Sequence, residues 1–102
     1  MVKKSKLIVV WDKPAYTSLQ IAYDYIKEDS LVNAERVREE ILKITKNLPD
    51  HPEKYPPDKF KKANTGNYRA FEKYSYRVAY KITEQKIIIL RVRHVKQEPK
   101  EY

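Results

Sequence analysis

The stretch Ser75-Tyr76-Arg77-Val78-Ala79-Tyr80-Lys81-Ile82, with Lys86-Ile87-Ile88-Ile89-Leu90-Arg91-Val92-Arg93-His94 three residues further on, decides the fold. In the first run Tyr76, Val78, Tyr80 and Ile82 alternate with Arg77, Ala79 and Lys81, the period of a strand with one buried face. Thr83 to Gln85 makes a turn. The second run carries the continuous apolar block Ile87 to Leu90, which predicts a central strand covered on both sides. Arg91 and Arg93 share a face by the same period. Before them, Tyr68 to Lys73 completes a three-stranded meander.

Upstream the period changes to that of a helix. Ala34, Val37, Ile41, Ile44 and Leu48 are spaced three and four apart, with Ser30 as N-cap and Pro49 as the stop. Ala15, Leu19, Ala22 and Ile26 form a second such stripe, from an Asp12 N-cap and Pro14 to about Glu28–Asp29. Two stripes joined this tightly predict an antiparallel helical hairpin. Lys6 to Trp11 is short, β-branched and bounded by Asp12 and Pro14, so it reads as a buried strand. The order is therefore β-α-α-β-β-β in one domain spanning 1–102. The expected fold is α+β, with the hairpin on one face of a small, mainly antiparallel sheet. Between the halves, Asp50 to Gly66 has no period and holds Pro52, Pro56 and Pro57. It reads as a long loop, flexible around Lys59, Lys61, Lys62 and Asn64–Gly66.

Composition excludes much chemistry. The 102 residues include no cysteine, so there is no disulfide, thiolate metal site or thiol nucleophile. Gly66 is the single glycine, which excludes the glycine-rich phosphate loops. His51 and His94 lack metal-ligand spacing. No metal site and no cofactor are expected. The apolar run Leu7 to Trp11 is too short for a signal peptide or membrane span, which predicts a soluble cytoplasmic protein with no membrane partner.

The net charge of +8 is uneven. Residues 1–52 hold 9 Lys and Arg against 8 Asp and Glu, while residues 53–102 hold 13 against 6, leaving +1 and +7. A concentrated basic surface suits a polyanion or an acidic protein. Its cationic and aromatic set (Arg69, Arg77, Arg91, Arg93, His94, Lys96, Tyr102) suits RNA, since guanidiniums fork onto phosphate and rings stack on unpaired bases. Bland roles compete. Tyr76 and Tyr80 fit a core, and His94 fits the end of a sheet.

The order of elements, together with Tyr76-Arg77-Val78-Ala79-Tyr80 and Ile88-Ile89-Leu90-Arg91-Val92-Arg93-His94, resembles the RelE/ParE superfamily of bacterial toxins across essentially the whole chain. These are the toxic halves of type II toxin–antitoxin pairs. The resemblance implies one of two activities. RelE-like members cut mRNA on the ribosome, and this is the leading expectation. Arg77 then matches the arginine of the Tyr-Arg strand, Lys96 stands where an arginine is usual, and Tyr102 falls where a late tyrosine acts. Arg77 and Lys96 would neutralise a phosphate attacked by the substrate's own 2′-hydroxyl, and Tyr102 or His94 would move protons. Arg69, Lys81, Arg91, Arg93, Lys59, Lys61 and Lys62 would bind RNA or another target. ParE-like members instead poison DNA gyrase by protein binding, with no nuclease centre, and the Ile89–His94 run resembles that branch at least as closely. Both branches imply a cognate antitoxin, acidic and folding as it binds.

Overall fold

The computed structural model describes residues 7–97 and 101–102. Strand β1 (Ile8–Trp11) leads into α1 (Lys13–Lys27) and α2 (Leu31–Asn47). A short 3-10 turn at Leu48–Asp50 follows, then β2 (Tyr68–Lys73), β3 (Tyr76–Ile82) and β4 (Lys86–His94). The sheet runs β1-β4-β3-β2. β1 lies parallel to β4, and the meander is antiparallel. The α+β order expected from the sequence is the order found. The Lys6 end of the predicted first strand lies outside the described residues.

The helices form where their apolar stripes predict. Ala15, Leu19 and Ala22 of α1 are buried, as are Ala34, Ile41 and Thr45 of α2. They cover Val78, Tyr80, Ile87, Ile89 and Val92 on one face of the sheet. Ser30 caps α2 by accepting a 3.2 Å hydrogen bond from the Asn33 N–H, worth about 1 kcal/mol. Asp12 does not act as expected. Its backbone is extended, but its side chain makes no capping bond, so only its main-chain oxygen enters α1, at 3.0 Å from Tyr16 N. β4 is central as predicted, yet the cover on its two sides is unequal. Ile87 and Ile89 are fully buried, whereas Ile88 and Leu90 are partly exposed on the face away from the helices. Tyr80 is a core residue, with its hydroxyl donating to the Pro52 carbonyl at 2.8 Å.

One irregularity sets the composition of that outer face. Val78 pairs with Val92 and Ala79 with Arg91, but Tyr80 pairs with Ile89, so Leu90 is an extra residue in β4. Strict alternation from the buried Ile87 and Ile89 would send Arg91 and Arg93 under the helices. The bulge shifts the phase by one residue. Val92 turns inward instead, and Arg91 and Arg93 join Arg77 outside.

The Asp50–Gly66 loop is tied down rather than loose. Segment 56–58 runs along the outer edge of β2, with Asp58 N bonded to Tyr68 O at 2.8 Å and Ala70 N to Pro56 O at 3.2 Å. Asn64 bonds the oxygens of Asp58 and Tyr68 and accepts from Gly66 N. Gly66 has φ of 104°, a conformation side-chain-bearing residues rarely adopt. Among the described residues no helix is long and apolar enough to cross a membrane.

Candidate functional site

The outer face of β3 and β4 presents Arg77 opposite Arg93 and Arg91 opposite Ala79. Lys81 lies beside them, opposite Tyr68 of β2. The loop crosses this face after Asp58 and brings Phe60 and Lys61 over it. The Arg77 guanidinium sits 4.9 Å from the Phe60 ring centre, and Lys61 and Lys81 sit 4.7 and 5.3 Å from that of Tyr68. Lys59 stands over the Phe60 ring at 5.3 Å, and Lys62 is exposed.

At the centre is Asp58, whose side chain is 1% exposed. Its Oδ1 accepts from Arg77 Nη2 at 2.8 Å and Phe60 N at 3.1 Å, and its Oδ2 accepts from the Tyr102 hydroxyl at 2.6 Å. Arg77 also donates through Nη1 to Glu72 at 2.9 Å. Its Nε is buried without a hydrogen-bond partner. Burial alone would raise the Asp58 pKa. The bonds from Tyr102, Arg77 and Phe60 N, with the charge of Arg77, outweigh it and hold the carboxyl below its ordinary value. Tyr102 shifts the other way. Burial, the bond to Asp58 and the Asp58 charge keep its phenol protonated well above the usual range.

Tyr102 is also held by its backbone. Lys62 N donates to its main-chain oxygen at 2.7 Å, and its own N donates to Phe60 O at 3.0 Å. Lys61 Nζ reaches the same Tyr102 oxygen at 3.1 Å. The ring lies edge-on to Tyr68, with Arg91 4.6 Å and Lys61 5.4 Å from its centre. Burial and the like charge of Arg93 lower the Arg91 pKa from its usual value.

The four expected catalytic residues fall into two groups. Arg77 and Tyr102 meet through Asp58. His94 and Lys96 lie elsewhere, because His94 pairs with the inward-facing Tyr76 and packs edge-on against it at 5.1 Å. The His94 Nδ1 accepts from Lys96 N at 3.0 Å. Both residues line a groove of about 530 Å³ with Ser18, Ile21 and Tyr25 of α1, on the helix side of the sheet. Arg69 also leaves the expected surface. It pairs with inward-facing Tyr80 and donates to the carbonyls of Gly66, Tyr55 and Glu53, so it secures the loop. Asp58, Glu72, Phe60 and Tyr68 are the members sequence reasoning missed. Asp58 carried a signal: it is the one acid between Glu53 and Glu72, inside a basic stretch. Among the described residues no group of three His, Cys, Asp or Glu is placed to hold a metal.

A basic, aromatic-studded sheet face thus lies opposite a helical hairpin in a small α+β module. Residues 9–99 match the family described as ParE toxin of type II toxin-antitoxin system, parDE. No curated protein sequence matches the chain. Among solved structures, the chromosomal ParDE toxin–antitoxin system from P. aeruginosa is similar, with TM-score 0.69 and 18% identity over 89% of this chain and 98% of that one. The RelBE2 toxin–antitoxin complex from Mycobacterium tuberculosis aligns with TM-score 0.63 and 17% identity, over 88% and 99%. The YoeB dimer from Staphylococcus aureus gives 0.58 and 16%, over 88% and 98%. The chain belongs to the ParE toxin family of type II toxin–antitoxin systems.

Proposed function

We propose that this toxin acts by binding, with DNA gyrase as its target, and not by cutting mRNA. The observation that carries the reading is the division of the nuclease candidates between two faces of the sheet. Arg77 and Tyr102 are outside, and His94 and Lys96 are beneath. A phosphoryl-transfer site needs its cations and proton-transfer groups around one reacting phosphate. Tyr102 is a weak candidate base because its hydroxyl donates to a buried carboxylate that keeps it protonated. Two Arg77 nitrogens are engaged by Asp58 and Glu72. Arg91 and Arg93 lie with Arg77 on the outer face, and a cationic surface of this kind has the chemistry of a protein-binding anchor. The family match favours the same branch.

A cognate antitoxin completes the system. The P. aeruginosa and M. tuberculosis structures are both toxin–antitoxin assemblies. An acidic antitoxin complements the basic half of this chain, and the groove beside α1, where Ile21 and Tyr25 are 63% and 71% exposed, offers it apolar anchorage.

The test is a supercoiling assay with purified gyrase and the full chain, run beside primer extension on translated messages after induction. Inhibited supercoiling with trapped DNA breaks and intact messages is expected. Codon-linked cuts with unimpaired supercoiling would overturn the reading.

A further inference from the structure

Tyr102 is bound as a peptide ligand would be. Its backbone makes a two-bond parallel ladder with Phe60 and Lys62. Its ring fills a slot walled by Arg91, Lys61 and the edge of Tyr68, and its hydroxyl ends on Asp58. These contacts are of the kind used when an extended peptide adds to an existing backbone edge, where the ladder supplies affinity and a side-chain pocket supplies specificity. Arg77, Arg93 and Lys81 border the slot on the same face.

We infer that this slot is a docking site for an extended acidic segment presenting a tyrosine, and that Tyr102 closes it in cis. The ladder requires an extended partner, because both Phe60 O and Lys62 N are spent on one strand-like residue. The slot requires a flat ring with a donor at its tip, because Asp58 Oδ2 faces it as an acceptor. The surrounding cations require acidic flanks. Tyr102 meets the first two requirements. In its own flank Glu101 is acidic, but Lys100 beside it is not, so a uniformly acidic competitor is better matched to the face. A partner must displace Tyr102, so its apparent affinity is reduced by the fraction of time the slot is closed. The inference rests on reading this face as protein-docking, and it specifies what docks there.

The experiment is fluorescence anisotropy with the full chain and three labelled probes at fixed salt. One is an acidic peptide with a central tyrosine, the second has alanine in its place, and the third is a single-stranded deoxyoligonucleotide. Tyr102→Ala is expected to bind the tyrosine peptide about tenfold more tightly than the natural chain does, as for a latch closed about nine-tenths of the time. Tyr102→Phe, which loses only the hydroxyl, should show a smaller gain. Arg91→Ala placed in the Tyr102→Ala chain should abolish it. No gain for either Tyr102 variant would overturn the inference. An equal gain for all three probes would also overturn it, since charge alone would then explain binding. Gyrase inhibition is scored separately. A chain that inhibits gyrase but shows no tyrosine-dependent gain refutes the slot and leaves the target reading intact.

Discussion

Oδ2 of Asp58 accepts a 2.6 Å hydrogen bond from the hydroxyl of Tyr102, 44 residues away in the sequence. The other oxygen of the same carboxylate holds Arg77. One buried acid thus fixes a loop, a strand arginine and a distant tyrosine together. Removing it leaves a guanidinium that is 17% exposed with one carboxylate partner instead of two. Asp58→Ala is expected to destabilise the fold by about 2–3 kcal/mol, the cost typical of breaking a charge-assisted, largely buried network. Urea unfolding followed by circular dichroism checks it.

The same carboxylate gives the protein an acid limb. Its folded pKa lies below the ordinary 3.8. The stability it contributes is complete above that ordinary value and is lost as pH falls through the lower folded one. Melting temperatures of the natural chain should fall more steeply below pH 4 than those of Asp58→Asn, within roughly one unit of that reference. Parallel slopes in the two proteins would remove Asp58 as the cause.

At the alkaline end the sign reverses. Burial pushes Tyr80 up to about 12, and Tyr102 is raised as well. Stability from keeping these phenols protonated is present below the ordinary value of 10.0 and lost as pH rises through their folded values. Ultraviolet titration of the nine tyrosines should therefore show a late-ionising fraction. Tyr102→Phe should shrink that fraction and leave the earlier one unchanged.

On the face proposed to bind gyrase, Arg91→Ala and Arg93→Ala should each weaken gyrase inhibition about tenfold or more, as expected of an interface anchor worth roughly 2 kcal/mol. Lys96→Ala and His94→Ala, on the far side of the sheet, should leave it within about twofold, because they lack that anchor contact. Inhibition curves for the four proteins check it. Sensitivity confined to His94 and Lys96 would move the site to the groove beside α1.

The two helix starts offer a paired comparison. Ser30→Ala should cost about 1 kcal/mol, because it removes a formed cap bond. Asp12→Ala should cost less than about 0.5 kcal/mol, as for a surface change that breaks no such bond. Denaturation midpoints measure both.

Regular periods carried the elements. The stripe from Ala34 to Leu48 and the alternation from Tyr76 to Ile82 express local geometry, so spacing alone placed the hairpin and the meander. Arg77 on the outer face followed from the same alternation. What spacing does not encode is closure over distance. Asp58 meets Arg77 and Tyr102 only because the loop turns back across the sheet. Arg69 turned to the loop because a strand residue with the right charge also had carbonyls of the loop within reach. The β2–β3 turn at Tyr74–Ser75 was silent for a related reason. Both residues adopt positive φ without the glycine or asparagine that usually announces it.

The extra residue in β4 gives that strand a spare position. Deleting Leu90 would remove the bulge and leave strict alternation, with Ile87, Ile89 and Val92 inward and Arg91 and Arg93 outward as they are now. A one-residue deletion there should therefore keep the arginine face, and Leu90→Ala, which keeps the residue count, should keep it too. Divergence at this point of the chain can proceed by substitution or by loss of this one residue without turning the strand over.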